Sequence, residues 1–285
     1  MERYRKILVA VDGSESSKNA FRQACRIARE DKSWITAITA IPLYQDQFEV
    51  LSTKEKVSKR LKEEGEKILS EIKKIADEED VHIKQTLVEG SPFETIIDAA
   101  QEGGYDLIVM GRHGRTHFER AFMGSVTAKV IGYFKGRILV VPRNASLGWK
   151  NILVATDGSK NSDAAFDEAL NYAKSYEGTL KIVNAVNVTE EFQAHAPGLT
   201  ERLINEAKKN LEDVKNRAQQ AGINTETFVR EGEPYKVIVD LATQLNADTI
   251  VMGSHGRTGL TRIFMGSVTA RVIGHTPCPV LVVKA

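Results

Sequence analysis

Short, uninterrupted apolar runs alternate along the chain with longer segments in which apolar residues recur every three or four positions. The runs at residues 7–11 and 152–156 are short, β-branched and apolar, which is typical of strands buried on both faces of a sheet. Ser14 and Ser159 follow these runs and are suited to cap the helices that come next. Strands and helices that alternate at these lengths predict an α/β fold, with a parallel sheet and helices on both faces.

The remaining elements of each half follow the same pattern. A second strand is predicted at residues 34–41 and again at residues 179–186, and a long charged helix follows each. The apolar stripe of that helix consists of Val57, Leu61, Ile68, Ile72 and Ile75 in the first half, and of Ile204, Ala207, Leu211, Val214 and Ala218 in the second. Two more strand–helix steps and a closing strand, at residues 138–141 and 280–283, complete each half.

The two halves of the chain repeat each other. The segment KILVAVDGSESSKNAF, which starts at Lys6, matches NILVATDGSKNSDAAF, which starts at Asn151. The segment DLIVMGRHGRTHFERAFMGSVTAKVIG from Asp106 matches DTIVMGSHGRTGLTRIFMGSVTARVIG from Asp248. The offset between the halves is therefore 145 residues at the front and 142 later, so the second half is three residues shorter in between. Such agreement indicates a duplicated module.

Length and composition suit a pair of ordinary domains, predicted here at residues 1–145 and 146–285. The 39 basic and 38 acidic residues leave a net charge of +1, which offers no electrostatic reason to expect binding to nucleic acid or to an anionic membrane. No stretch approaches the roughly 20 apolar residues that cross a bilayer, and the N-terminus does not resemble a signal peptide. Cys25 and Cys278 are expected to be core residues. The expected location is the cytoplasm.

A glycine-rich motif, G-x2-G-x9-G-S, follows an apolar strand in each half. At the carboxyl edge of a parallel sheet, where ligands bind, glycines let the backbone approach a ribose or a phosphate. The serine opens a segment predicted to be a helix, whose start attracts phosphate oxygens. A single such glycine–serine pair would more simply form a turn and a cap, but the complete spacing, present twice, favours a phosphate loop. The motif falls at Gly111, Gly114, Gly124 and Ser125, and at Gly253, Gly256, Gly266 and Ser267.

Other polar residues lie near this motif. Asp12 and Asp157 end the first strand of each half, where they either stabilise a turn or bind the adenine amino group or the ribose. Thr127 and Thr269 are expected to add hydroxyl donors for a phosphate. His113 and His255 are expected to shape the loop rather than to act as acid–base catalysts, because no third group completes a triad. The loop arginines, each of which either contacts a phosphate or is solvated, are Arg115, Arg120, Arg257 and Arg262.

With these segments the chain resembles the universal stress protein family, over essentially its whole length and twice. The resemblance implies two tandem Rossmann-like domains of the adenine nucleotide alpha hydrolase-like type. Each would have a five-stranded parallel sheet of order 3-2-1-4-5, flanked by helices, and would bind one ATP or AMP, with Mg²⁺ accompanying ATP. No catalytic residues and no metal site of the protein itself are implied.

The resemblance also implies which residues contact the nucleotide. Asp12 and Asp157 would contact adenine and ribose, and the backbone at Ile41 and Val186 would meet the adenine. Ribose and phosphates would be lined by Met110, Gly111 and Gly114 in the first half and by Met252, Gly253 and Gly256 in the second. The phosphate tail would be held by Gly124, Ser125 and Val126, and by Gly266, Ser267 and Val268.

Two departures from the family pattern bear on the first half. His117 stands where the second half has the flexible Gly259, and Glu119 brings a negative charge where Thr261 stands, so the first site is expected to bind more weakly. By resemblance, the closing strands of the two halves would pair antiparallel within one chain and form an internal pseudo-dimer. Surface left exposed by that pairing would allow a homodimer.

Three functions are compatible with these residues: a nucleotide-binding regulatory or stress-response protein, a slow ATP hydrolase, and a scaffold with vestigial nucleotide sites. The chain lacks a GxxxxGK[ST] loop, an SGG-type pyrophosphatase loop and an evident carboxylate pair for Mg²⁺. A vestigial site would be expected to lose its motif in one copy, yet both copies keep the three glycines and the serine. The sequence therefore favours nucleotide binding, with at most slow hydrolysis.

Overall fold

The computed structural model describes residues 3–42, 51–114, 123–257 and 265–285. The chain forms two compact units, and the main division between them falls between Asn144 and Ala145. Within the described residues, no helix is both long enough and apolar enough to span a membrane.

The first unit alternates strands and helices along its whole length. Its central strand pairs in parallel with two neighbours, and the strand order is β3-β2-β1-β4-β5. The elements are β1 (Lys6–Ala10), α1 (Glu15–Asp31), β2 (Trp34–Ile41), α2 (Leu51–Glu78), β3 (Ile83–Glu89), α3 (Pro92–Glu102), β4 (Leu107–Gly111), α4 (Ser125–Tyr133) and β5 (Arg137–Val141).

The second unit repeats this arrangement, with the order β8-β7-β6-β9-β10. Both units thus have the order 3-2-1-4-5 with helices on both faces, and the predicted fold is confirmed. The short helix α6 has no counterpart in the prediction. The elements are β6 (Asn151–Ala155), α5 (Lys160–Tyr176), β7 (Thr179–Val186), α6 (Glu190–His195), α7 (Pro197–Gln220), β8 (Thr225–Glu231), α8 (Pro234–Gln244), β9 (Thr249–Gly253), α9 (Ser267–His275) and β10 (Val280–Val283).

The predicted core and caps have a simple physical basis. The central strands are buried on both faces, which explains their unbroken apolar runs. Ser14 accepts a hydrogen bond from the Ser17 amide at 3.2 Å, and Ser159 accepts one from the Ser162 amide at 3.3 Å, so both predicted caps are confirmed. Cys25 is buried and free, and this burial raises the pKa of its thiol to about 12.

An aspartate at the start of the fourth strand joins that strand to the first, which sequence reasoning did not foresee. One oxygen of Asp106 accepts hydrogen bonds from the amides of Arg5 and Lys6, both at 2.9 Å. Asp248 accepts from the amides of Lys150 at 3.1 Å and Asn151 at 2.8 Å. The carboxylate thus satisfies two backbone donors at the amino edge of each sheet.

Asp248→Ala is expected to lower the free energy of unfolding by about 2 kcal/mol, because it removes charge-assisted bonds to two amides. Urea unfolding followed by circular dichroism measures this. Asp240→Ala, at an exposed position of α8, is the matched control and should stay within about 0.5 kcal/mol of the wild type. Equal stability of the two variants would contradict the assigned role of Asp248.

Candidate functional site

The candidate site of each unit lies where two neighbouring central strands end. β1 and β4 pair with Ala10 beside Met110, and β6 and β9 pair with Ala155 beside Met252. The aspartate two residues after the first strand and the glycine that ends the fourth are therefore neighbours at the carboxyl edge. The strand order reverses at this point, which is where open α/β sheets bind ligands.

In the second unit this edge opens into a cavity of about 740 Å³, within the size range of small-molecule sites. Every residue predicted to contact a nucleotide in the second half lines it. The end of β7 forms one wall, α7 and α8 contribute others, and the glycine loop and the start of α9 close the rest. The predicted residues in the lining are Asp157, Val186, Met252, Gly253, Gly256, Gly266, Ser267 and Val268.

Asp157 ties together the two loops that border this cavity. One carboxylate oxygen accepts from the Ser159 amide at 3.0 Å, and the other accepts from the Arg257 amide at 2.9 Å. A Cβ on Gly256 would lie 2.5 Å from the same carboxylate, so that glycine makes room for Asp157. The aspartate therefore organises the glycine loop in addition to facing the cavity.

In the first unit, Asp12 makes the corresponding contact with the serine two residues further on. Asp12 accepts from the Ser14 amide at 3.0 Å and also from the Ser14 hydroxyl at 2.6 Å. A Cβ on Gly114 would lie 2.7 Å from the Asp12 carboxylate. The second glycine of the motif is thus required by the protein's own aspartate in both halves.

The first glycine of each motif allows a strand to approach a helix closely. A Cβ on Gly111 would lie 2.7 Å from the backbone of Ser16 and Ser17 at the start of α1. A Cβ on Gly253 would lie 2.8 Å from the backbone of Asn161 in α5. These two glycines therefore have a packing role that does not depend on any ligand.

The third glycine is the N-cap of α4 and of α9, and it makes no side-chain cap bond. The reading in which the motif serines only cap helices is therefore wrong, because Ser125 and Ser267 are the first helical residues and their side chains are exposed. The first intrahelical bonds are donated by Ala128 and Ala270, at 3.0 Å each. The amides of residues 125–127 and 267–269 precede these donors, and a helix start leaves such amides for an external acceptor.

The prediction that Thr127 and Thr269 supply hydroxyls to a phosphate is wrong. Both side chains are buried, and each donates to the carbonyl oxygen of the motif's first glycine, Gly111 at 3.1 Å and Gly253 at 3.0 Å. The threonines hold the helix start against the end of the strand. Sequence alone could not distinguish this inward direction from an outward one.

At the ends of β2 and β7, the carbonyl oxygens of Ile41 and Val186 already accept backbone hydrogen bonds. Ile41 accepts from the Gly90 amide at 2.8 Å, and Val186 accepts from the Gly232 amide at 3.0 Å. In a parallel strand, successive residues direct their backbone groups to opposite neighbours, so the next residue inward faces the other side. The backbone groups of Ala40 and Ala185 therefore point toward β1 and β6 instead, and Ala185 lines the cavity of the second unit together with Val186.

Two histidines lie within the glycine loops. Arg112 donates through Nε to Nε2 of His113 at 3.1 Å. His255 contacts the Ser254 hydroxyl through Nδ1 at 3.0 Å, and its buried Nε2 has no hydrogen-bond partner among the described residues. Burial, helped by the charge of Lys284, lowers the pKa of His255 and favours the neutral ring.

Several predicted features fall outside the described residues: His117, Glu119, Gly259, Thr261, Arg115, Arg120 and Arg262. The expected weakness of the first site, which depends on the first two, therefore stays a prediction. Among the described residues, no group of three or more histidine, cysteine, aspartate or glutamate side chains is placed to hold a metal ion.

Fold and site together define a class: proteins of two tandem α/β domains with a glycine-rich loop at the carboxyl edge of each sheet. The model of the universal stress protein family matches the chain twice, over residues 3–142 and 148–284. The chain therefore belongs to the universal stress protein family.

Individual relatives match either one half of the chain or all of it. A universal stress protein of Methanocaldococcus jannaschii is 40% identical over 146 residues, covering 50% of this chain and 86% of the relative. A putative universal stress protein of Staphylococcus saprophyticus is 34% identical over 142 residues, covering 48% and 85%. A crystal structure from Archaeoglobus fulgidus covers 98% of this chain and 96% of its own, with a TM-score of 0.74 and 23% identity, which shows a shared fold.

Proposed function

We propose that each domain binds one adenine nucleotide, ATP or AMP, and that this binding is the activity through which the protein acts in regulation or stress response. The observation that supports the proposal is the cavity of the second unit, which gathers all the residues predicted for that half. They come from segments as far apart in sequence as Asp157 and Val268.

The walls of the cavity supply the chemistry that a nucleotide needs. Phosphate oxygens would accept hydrogen bonds from the first-turn amides of α9 and from the exposed Ser267 hydroxyl. The base would meet the backbone of Ala185 rather than that of Val186, whose carbonyl is occupied. Each oxygen of Asp157 keeps a second lone pair, which can accept from a ribose hydroxyl or from the adenine amino group.

We propose that the protein is not an enzyme beyond, at most, slow ATP hydrolysis. Mg²⁺ would enter with the phosphates of ATP. The carboxylate at the centre of the second site, Asp157, accepts from two backbone amides and so has a structural role in joining the two loops. This supports binding over turnover.

Two tandem domains of this family fit an internal pseudo-dimer. A homodimer of the whole chain is a further proposal, which light scattering in solution would test. The cytoplasmic location stays a prediction from the sequence, and cell fractionation would test it.

The test of function is the identity of what the purified protein carries and binds. The supernatant of freshly denatured protein, analysed by chromatography, is expected to contain AMP, ADP or ATP. Gly124→Trp with Gly266→Trp is expected to abolish both this release and the binding of added ATP, because an indole at each helix start fills the space of the phosphates.

Circular dichroism must show that the double variant is folded. Wild-type protein that is empty and also fails to bind added ATP would overturn the proposal and leave the scaffold function. Release of ADP and phosphate at a steady rate from ATP and Mg²⁺, lost in the double variant, would establish the hydrolase instead.

A further inference from the structure

In the second unit, three side chains from two elements meet beside the loop that follows β6. Glu206 and Asn210 lie one turn apart on α7, and Arg257 belongs to the glycine loop. Nη1 of Arg257 is 3.6 Å from a carboxylate oxygen of Glu206. With the Asn210 amide oriented so that its oxygen faces its donors, Nη2 of Arg257 donates to that oxygen at 3.2 Å.

The same oxygen of Asn210 accepts from the Gly158 amide at 3.0 Å, so Asn210 is itself anchored to the backbone. Gly158 has a φ of +74°, and a Cβ there would collide with the Asn210 amide and approach Nη2 of Arg257 to 2.7 Å. Glycine at this turn therefore permits both the backbone conformation and the approach of the guanidinium.

The two partners of Arg257 differ in how firmly they hold it. Asn210 is neutral, half-buried and fixed by a second hydrogen bond. The Glu206 and Arg257 side chains are 64% and 52% exposed, and an ion pair of that kind contributes little and is easily exchanged. Arginine has five donors in a planar fork, so it can keep the bond to Asn210 while its other edge changes partner.

The first domain differs at the position of Asn210. At the offset of 142 residues, Ile68 stands where the second domain has Asn210. Ile68 Cγ1 is 3.0 Å from the position of a Cβ on Gly13, so it occupies the corresponding place beside the turn. An aliphatic side chain accepts no hydrogen bond and cannot anchor a guanidinium.

We propose that Arg257 is a phosphate-binding residue of the second site, that Asn210 positions it, and that Glu206 occupies its guanidinium until a nucleotide phosphate takes that place. The inference rests on the proposed function. Arg257 and Glu206 both line the cavity, together with Gly266 and Ser267 at the helix start. Asn210 holds the guanidinium in place before the nucleotide binds, which reduces the entropy lost on binding. Glu206 competes with the phosphate for the guanidinium, so removal of the Glu206 charge favours phosphate binding.

The two α7 positions should change affinity in opposite directions. Gly124→Trp closes the first site, and in that background the binding of ATP and of adenosine is measured by competition against a fluorescent adenine nucleotide. Asn210→Ile, which copies the first domain, is expected to weaken ATP about tenfold. Glu206→Gln is expected to strengthen ATP about threefold, since it releases the guanidinium and removes a negative charge. Adenosine, which has no phosphate, should be unaffected by either.

Arg257→Gln is expected to weaken ATP about tenfold and to cancel the effect of either α7 substitution when combined with it. Glu201→Gln, an exposed change of the same type on α7, is the control and should leave ATP affinity unchanged. A loss of ATP affinity in Glu206→Gln, or an equal change for adenosine and ATP, would overturn the inference while leaving the proposed function intact. Absence of ATP binding in the Gly124→Trp background, with binding also absent in the wild type, would overturn both.

Discussion

Gly111→Ala is expected to lower the free energy of unfolding by about 2–3 kcal/mol, even in the absence of any nucleotide. The added Cβ would lie 2.7 Å from backbone atoms of Ser16 and Ser17, so the start of α1 would have to move away from β4. Overpacking of this kind commonly costs about 1–3 kcal/mol, and here the neighbour is backbone rather than an adaptable side chain. Urea unfolding of nucleotide-free protein measures the change.

Gly124→Ala is the matched control in the same motif and domain. A Cβ there would lie 3.5 Å from the Arg112 carbonyl oxygen, which is an ordinary contact, and the φ of −59° suits alanine. Its stability should stay within about 0.5 kcal/mol of the wild type. Gly253→Ala should reproduce the effect of Gly111→Ala in the second domain. If all three variants were as stable as the wild type, the packing role assigned to Gly111 and Gly253 would be wrong.

Asp157→Ala is expected to weaken ATP binding at the second site about 100-fold, which is the largest effect on function predicted for a single side chain. The change removes the acceptors of the Ser159 and Arg257 amides, and each charge-assisted bond contributes about 1.5–3 kcal/mol. The glycine loop should then lose its arrangement before any ligand arrives. Calorimetric titration in a chain with Gly124→Trp measures the affinity.

Amide hydrogen exchange separates the organising role of Asp157 from a direct contact with the ligand. In nucleotide-free protein, exchange at residues 253–257 should rise in Asp157→Ala and stay unchanged in Asp163→Ala, an exposed aspartate of α5. Lost binding with unaltered exchange would show that Asp157 acts on the nucleotide alone. Asp157→Asn, which keeps one acceptor, should fall between the two.

The motif glycines show what a sequence pattern can and cannot predict about a site. Their spacing correctly predicted a loop at the carboxyl edge of each sheet, because glycines placed between an apolar strand and a helix have few other uses. It did not predict that Gly111 meets a helix backbone and Gly114 a carboxylate, since both contacts come from segments about a hundred residues away. A glycine required by a ligand and a glycine required by packing look the same in the sequence.

Asn210 and Ile68 show a second kind of limit. Their correspondence is visible once the halves are aligned with an offset of 142 residues, but only Ile68 belongs to the predicted apolar stripe of its helix, and the polar Asn210 carries no signal of a particular contact. Only the approach of α7 to the turn at Gly158 shows that one of them accepts hydrogen bonds from a loop. The substitution matters because this helix position lies beside the turn that follows the first strand of each domain.

The sequence by itself determined the duplication, the alternation of strands and helices, the two serine caps and the place of the glycine loop. These depend on local periodicity and on residues a few positions apart, where backbone geometry leaves few choices. Tertiary structure alone decided that Asp157 joins two loops, that Thr127 and Thr269 turn inward, and that Asp106 and Asp248 join strands. Such side chains bond to whichever donor or acceptor the fold brings within about 3 Å, and that neighbour is set by chain segments far away in sequence.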